Sequence, residues 1–321
     1  MNKPWNEISI NDLRPFKIGN AEYRHGATGC TVILAENGAI TGLDVRGGAP
    51  ASREAMLLNP LAANDRVHAV MLGGGSAFGL DAASGVMKYL EERNIGFPTD
   101  HGVVPIVCAA CLFDLPVLTP SIRPDAALGY EACVNAGNFQ EGNYGAGTGA
   151  SCGKLLGMDH AMKSGIGSYA VQLGDLKIGA VVAANPLGNI FDPDTGAIIA
   201  GAHDAEGNFI DEEAAFAEIA AMQNYNNYRT NTTLGVVLTN GIFDKAQLCK
   251  IAGMAHDGYA RAINPVHTTF DGDSIYAMSS CEVNADLNLV GILSAHVMTR
   301  AIVSAAKNAA SEFGLKGLKE A

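Results

Sequence analysis

The chain has 321 residues, 48% of them apolar and 17% charged, with 38 glycines, a composition that suits a packed globular protein rich in tight turns and excludes a disordered one. The formal net charge of -12 argues against nucleic-acid binding, which needs a clustered basic surface, and otherwise reads as solubility. The opening segment, Met1 to Phe16, is polar and mixed in charge, and no apolar run approaches about 18 residues, so neither a secretory signal nor a membrane-spanning helix is expected. Seven cysteines, an odd number without an export signal, fit reduced thiols and a cytoplasmic setting.

Taken in chain order, Thr31–Leu34, Val67–Leu72, Val103–Val107, Ile178–Ala183, Thr233–Thr239 and Ile275–Met278 are short apolar runs rich in β-branched residues, and each predicts a strand. Helical patterns alternate with them. Leu80–Arg93 keeps Leu80, Ala83, Val86, Met87 and Leu90 on one face, and Asp244–Ile263 opens on a capping aspartate and carries Leu248, Ile251, Ala252 and Ala255 as a stripe. Leu287–Phe313 is the longest helical candidate, and its apolar stretch Leu287–Ala306 fits either a core helix or part of a subunit interface. Such a mixture predicts an α/β or α+β fold with sheets covered by helices. The segment His203–Asn231 stands apart: an acidic helical stretch is followed by the polar tract Gln223–Arg229, the composition of an exposed linker or processing loop.

Several motifs have a plain reading beside a chemical one. The glycine-rich run Gly73–Gly79 joins a strand to a helix, where a phosphate cradle would lie. It has neither the Lys-Ser/Thr pair nor the glycine spacing of one, and Phe78 breaks a nucleophile elbow at Ser76. Close backbone approach, or lining a substrate site with Gly75, Ser76 and Phe78, is the better reading. Cys108 and Cys111 have redox or zinc spacing but no second pair, so they read as buried thiols, and no metal or cofactor is expected. Asp271-Gly272-Asp273 reads as a turn before a strand, with two carboxylates brought close. At Asn231-Thr232 a threonine opens an apolar strand directly after a polar loop. A threonine hydroxyl is a poor nucleophile unless a base stands beside it, and one remedy is to place it at a chain terminus, where its own α-amine serves.

In combination the motifs are more specific. Asp44–Glu54 (DVRGGAPASRE) resembles the D-x-R-G-G-A-P-G-T-R-E segment of the P1-type peptidases. Gly74–Ala83, Val104–Val107, Phe113–Leu115, Gly145–Ala150, and His267-Thr268 leading to Asp271-Gly272-Asp273 match the same family in the same order, from about Gly29 to the C-terminus. That family includes L-aminopeptidase/D-esterases, β-aminopeptidases and endo-type 6-aminohexanoate-oligomer (nylon-oligomer) hydrolases. The Asn-Thr junction and the Asp-Gly-Asp motif are most similar to the last group.

The resemblance implies a single domain folded as a four-layer αββα sandwich, N-terminal-nucleophile-like and similar to ornithine acetyltransferase. It also implies self-cleavage at 231/232 into chains 1–231 and 232–321, and tetramers of the cleaved protomer. Residue by residue, it makes Thr232 the nucleophile, Lys154 the lysine beside it, Asn185 the site asparagine, and Asp271 and Asp273 the acidic pair. A lysine near the threonine amine would hold that amine neutral by like-charge repulsion, and an asparagine amide could donate to a developing oxyanion. The activity implied is hydrolysis of an oligomeric or small-molecule amide; a β- or L-aminopeptidase and an N-acyltransferase are the alternatives. Two departures stand out: Ala51-Ser52 replaces the family's Gly-Thr, and Cys111-Leu112-Phe113 has no counterpart of a tyrosine that assists some relatives.

Overall fold

The structure is a computed structural model, and it describes residues 4–221 and 231–320. The N-terminal half supplies β1 (Asn6–Ile8), β2 (Lys17–Tyr23), β3 (Thr28–Val45), β4 (Ala51–Arg53), β5 (Arg66–Gly73), α1 (Ala82–Glu91), a small hairpin of β6 (Phe97–Thr99) and β7 (Gly102–Val104), β8 (Val107–Cys111) and α2 (Ala126–Val134). Then come β9 (Ser151–Cys152), β10 (Met162–Lys163), β11 (Ile166–Leu173), β12 (Leu176–Asn185), β13 (Asn189–Phe191), β14 (Ile198–Ala200) and α3 (Glu212–Ala221). The chain closes with β15 (Thr232–Gly241), α4 (Lys245–Ala262), β16 (Ile263–Asn264), β17 (Ser274–Val283) and α5 (Leu287–Lys307).

Ten strands join in the order β1-β11-β12-β15-β17-β3-β5-β8-β4, with β2 also on β3. The long strand β3 divides this sheet into two halves. Its first part pairs with β2 and β5, register breaks between Leu34 and Ala39, and its second part runs beside β17. Strand alternation then sorts side chains into three cores. Leu234, Val236 and Leu238 of β15 and Tyr276 and Met278 of β17 meet Val70 and Leu72 of β5, Cys108 and Ala110 of β8, and Leu112 just after it, between the halves. The opposite faces lie under helices: Val237, Ile275 and Ala277 pack with residues of α4 and α5, and Ala69, Met71, Val107 and Ala109 with residues of α1 and α2. Three cores mean four layers, helix–sheet–sheet–helix, as the resemblance implies. The two parallel pairs in this sheet, β15 with β17 and β5 with β8, are each joined through a covering helix, the connection parallel neighbours require.

Some expectations need correction. Val103–Val107 is not one strand: Pro105 lacks an N–H, so β7 stops at Val104 in the hairpin and β8 begins at Val107 beside β5. The last helix ends at Lys307 rather than at Phe313, because Asn308 turns its amide onto Glu141 and the Ser304 carbonyl. By length and composition α5 is apolar enough to cross a membrane, contrary to the sequence expectation, but most of it is buried against β11, β12 and α4. It is therefore core rather than interface; only Leu289 and Ile292 remain as large outward apolar residues. Cys108 and Cys111 fall on opposite faces of β8, in different cores, and burial pushes both thiols far up, Cys108 to about 12. The acidic helical stretch is α3, docked by Ala215 and Ile219 on Leu155 and Leu187; the tract Gln223–Arg229 lies outside the described residues.

Candidate active site

Topology alone brings the candidate residues into one row. β15 and β17 are parallel, so their N-terminal ends lie at the same edge of the sheet, and β12, antiparallel to β15, ends there too. Asn185, the last residue of β12, is the register partner of Thr232, the first of β15. On the other side an isolated bridge pairs Asn231 with Asp271, and the ladder proper starts at Leu234 and Ser274, so the Asp271-Gly272-Asp273 loop flanks Thr232. Gly272 is needed for this approach: a Cβ there would meet the Thr232 hydroxyl oxygen at 2.8 Å.

Lys154 arrives from the turn after β9, where Gly153 takes a φ of +70° and the Lys154 N–H bonds the Leu187 carbonyl. Its Nζ donates to the Asn185 carbonyl oxygen at 3.0 Å and to Asn185 Oδ1 at 2.8 Å. The Ser151 N–H also donates to that Oδ1, at 3.0 Å, while Asn185 Nδ2 donates to the Phe113 carbonyl at 3.1 Å. The Ser151 hydroxyl donates there too, at 3.3 Å, so every neighbour of Oδ1 is a donor and the amide orientation is assigned by the network. Lys154 and Asn185 are buried, and burial lowers the Lys154 pKa to about 7, against the opposing pull of Asp271 and more distant carboxylates.

The two aspartates are equally enclosed. Asp273 Oδ1 accepts the Thr233 N–H at 2.7 Å, and its Oδ2 accepts the His267 backbone N–H at 3.1 Å and ring Nδ1 at 2.8 Å. Asp271 Oδ2 accepts the N–H and hydroxyl of Thr268. Burial first, and then the neighbouring Asp273, push the Asp271 pKa up. The Thr232 hydroxyl donates to the Asn231 carbonyl oxygen, and both residues are buried, at 3% and 2% exposure. The site therefore holds a hydroxyl against the carbonyl that precedes it, a buried amine nearby whose pKa is lowered to about 7, and two carboxylates bracing the strand ends. That arrangement suits nucleophilic attack on an amide carbonyl.

The flanking motifs acquire physical reasons. The Arg46, Gly47 and Ala49 N–H groups donate to the Asp273 and Asp271 carbonyls, and a Cβ on Gly47 would collide with that loop at 2.3 Å, so the Arg-Gly-Gly-Ala run braces the acidic loop. Asp114, nearly fully buried and raised by burial to about 6, accepts the Gly75 N–H and the Thr28 hydroxyl, each at 2.7 Å, and so sets the Gly73–Gly79 turn. Gly75 and Ser76 have positive φ; Ser76 is half-buried, with its N–H on the Leu112 carbonyl, while Phe78 is exposed under the Arg123 guanidinium. The turn thus adjoins the 112–113 segment that holds Asn185.

Three further groups support the row, and the sequence pattern singles out only the last of them. Lys163, fully buried, donates to the carbonyls of Gly147, Ala150 and Ser164 and so holds the loop that leads to Ser151. Ser151 and His267 hold Asn185 and Asp273. A lone lysine in Ala161-Met162-Lys163 carries no pattern, whereas His267 opens a motif that was already visible.

Comparison with known proteins gives the family. The model of peptidase family S58 matches residues 8–320. An uncharacterised aminopeptidase of Mycobacterium bovis is 36% identical, over 96% of each chain. A 6-aminohexanoate-oligomer endohydrolase of Kocuria sp. is 33% identical over 92% of this chain and 85% of its own. Among solved structures, the L-aminopeptidase D-Ala-esterase/amidase of Ochrobactrum anthropi, described as a new variant among the Ntn hydrolase fold, superposes with a TM-score of 0.67 over 97% of this chain and 91% of that one. At 17% identity that likeness speaks for the fold alone. Matched over residues 8–320 and more than 30% identical to relatives across nearly its whole length, the chain belongs to peptidase family S58 and is a hydrolase acting on amide bonds.

Proposed function

We propose that the chain cuts itself between Asn231 and Thr232, and that Thr232 is then the nucleophile of an amidase acting through an acyl-enzyme. The observation that carries this is the Thr232 hydroxyl bonded to the Asn231 carbonyl at a buried strand end beside Lys154 and Asn185. Attack of Oγ1 on the Asn231 carbonyl carbon breaks the C–N bond and forms an ester; the hydroxyl proton passes through a base to the departing amine. Water then hydrolyses the ester to give the Asn231 carboxylate and a free Thr232 α-amine. Burial of the bond supports a reaction from within over cutting by an outside protease.

In the mature enzyme the α-amine, whose pKa is near 7.7–8.0 in model peptides, and Lys154 are two amines in one site. Their repulsion keeps one of them neutral as the base. Asn185 Nδ2, which gives one hydrogen to Phe113, has a second for the oxyanion. Asp271 and Asp273 fix the strand ends. The test is intact-mass spectrometry of purified protein. Scaling 33.3 kDa by the 90 of 321 residues in the second chain, fragments of about 24 and about 9 kDa are expected; an intact chain retaining full amidase activity would sink the proposal.

The substrate class we infer is the oligoamide, 6-aminohexanoate-oligomer type. An endo-acting site must take chain on both sides of the scissile bond, so it has no use for a carboxylate clamp on a terminal ammonium. The acidic residues of the matched motifs fit this: Asp114 is occupied by Thr28 and Gly75, and Glu54 and Asp81 are exposed. The aminopeptidase relative favours the second reading, a free amine at the substrate terminus. A linear 6-aminohexanoate oligomer and its N-acetylated form should be cleaved at similar rates; cleavage of free-amine anilides alone would assign an aminopeptidase instead. Assembly as a tetramer of cleaved protomers is proposed from the family resemblance, and a stable monomer by light scattering at micromolar concentration would remove it.

A further inference from the structure

We propose that His267 is a positioning residue for the reacting strand end: its ring Nδ1–H fixes the Asp273 carboxylate that in turn holds the first peptide of β15. This rests on the reading of Thr232 as the reacting residue. Asp273 is 1% exposed and spans two segments. One oxygen takes the Thr233 N–H, which sets the peptide plane directly after Thr232; the other takes both donors of His267. A carboxylate oxygen only accepts, so the 2.8 Å contact places the proton on Nδ1. His267 Nε2 is buried and has no hydrogen-bond partner among the described residues.

The ring is itself held. His256 stands at 4.7 Å between ring centroids, at 72° to it, and Tyr259 at 5.9 Å, both from α4. His256 is anchored in turn on the Asp44 carbonyl at 3.1 Å, the same strand whose end braces the acidic loop. The backbone at His267 has a φ of +59°, a conformation asparagine tolerates better than most residues. Every element around the ring therefore sets the direction of one N–H, toward Asp273.

The geometry separates positioning from mere filling of space. The asparagine amide nitrogen falls near the position of Nδ1, and that of glutamine near Nε2. Wild type, His267→Ala, His267→Asn and His267→Gln are followed for conversion into two chains by intact-mass spectrometry, and for hydrolysis of an amide substrate by the cleaved protein. His267→Ala is expected to slow both on the order of 10- to 100-fold, the loss of one hydrogen bond to a buried charge. Asn should restore most of the rate and Gln should resemble Ala. Equal rates for Asn and Gln, or a wild-type rate for Ala, would overturn the proposal. Side-chain 1H–15N spectra of histidine-labelled protein read the bond without any cleavage: a proton on Nδ1 of His267, shifted by Asp273→Asn, is expected, and a bare Nδ1 overturns the assignment. A wild type that never divides but shows this signal would remove the self-cleavage reading and leave the His267–Asp273 bond standing.

Discussion

Thr232→Ala is expected to remain a single 33.3 kDa chain with no amidase activity. Self-cleavage needs an oxygen nucleophile within reach of the Asn231 carbonyl, and the Thr232 hydroxyl already touches it. Alanine keeps the strand and the β12 register but removes the oxygen proposed to form the ester. Thr232→Ser keeps that oxygen, so it should still divide into about 24 and 9 kDa chains, by the length scaling given above. Thr233 makes the comparison sharper. Successive strand side chains point to opposite faces, and the Thr233 hydroxyl is buried without a hydrogen-bond partner among the described residues. Thr233→Val retains the N–H that binds Asp273 and should divide as wild type does. Division of Thr232→Ala, or loss of division in Thr233→Val alone, would move the nucleophile one residue along the strand.

How much of this was legible in the sequence depends on the distance over which each signal acts. α4 and β15 were readable because their patterns are local: a capping aspartate and a stripe of apolar residues for one, a run of β-branched residues for the other. The row Asn185, Thr232, Asp271 and Asp273 was readable only through the resemblance, since it is made by register between strands far apart in sequence. β2 and α2 were missed because neither carries a strong period; β2 is fixed by β3, and α2 by packing on β2 and α1. Pro105, which has no N–H to give to a ladder, is the local signal against a single strand Val103–Val107. Lys163 offered none, because its role is made by two carbonyls of the preceding loop, Gly147 and Ala150, and that of the next residue, Ser164.

Removing Lys154 is expected to have the second-largest effect. Lys154→Ala, Asn185→Ala and Asp273→Ala should each lower turnover by factors on the order of 100 or more, the range seen when a preorganised donor or charge partner is lost, with circular dichroism near wild type. Near-normal turnover in all three would place the site elsewhere. The lysine also predicts a pH signature, because burial lowers its pKa to about 7. If its neutral form takes the Thr232 proton, self-cleavage should rise with pH through about 7, and Lys154→Met should abolish that limb. The stability effect has a definite sign. In the unfolded chain the lysine titrates near 10.4; between there and about 7 the unfolded state binds more protons, so this group favours the fold increasingly as pH rises. Below about 7 both states are protonated and the full cost of burying an ammonium falls on the folded protein. Lys154→Met should therefore gain melting temperature over wild type at about pH 6 and lose much of that gain by about pH 9. A difference that stays constant across that range would mean that the buried amine is not released near neutrality, and the base for Thr232 would then have to be sought in another group.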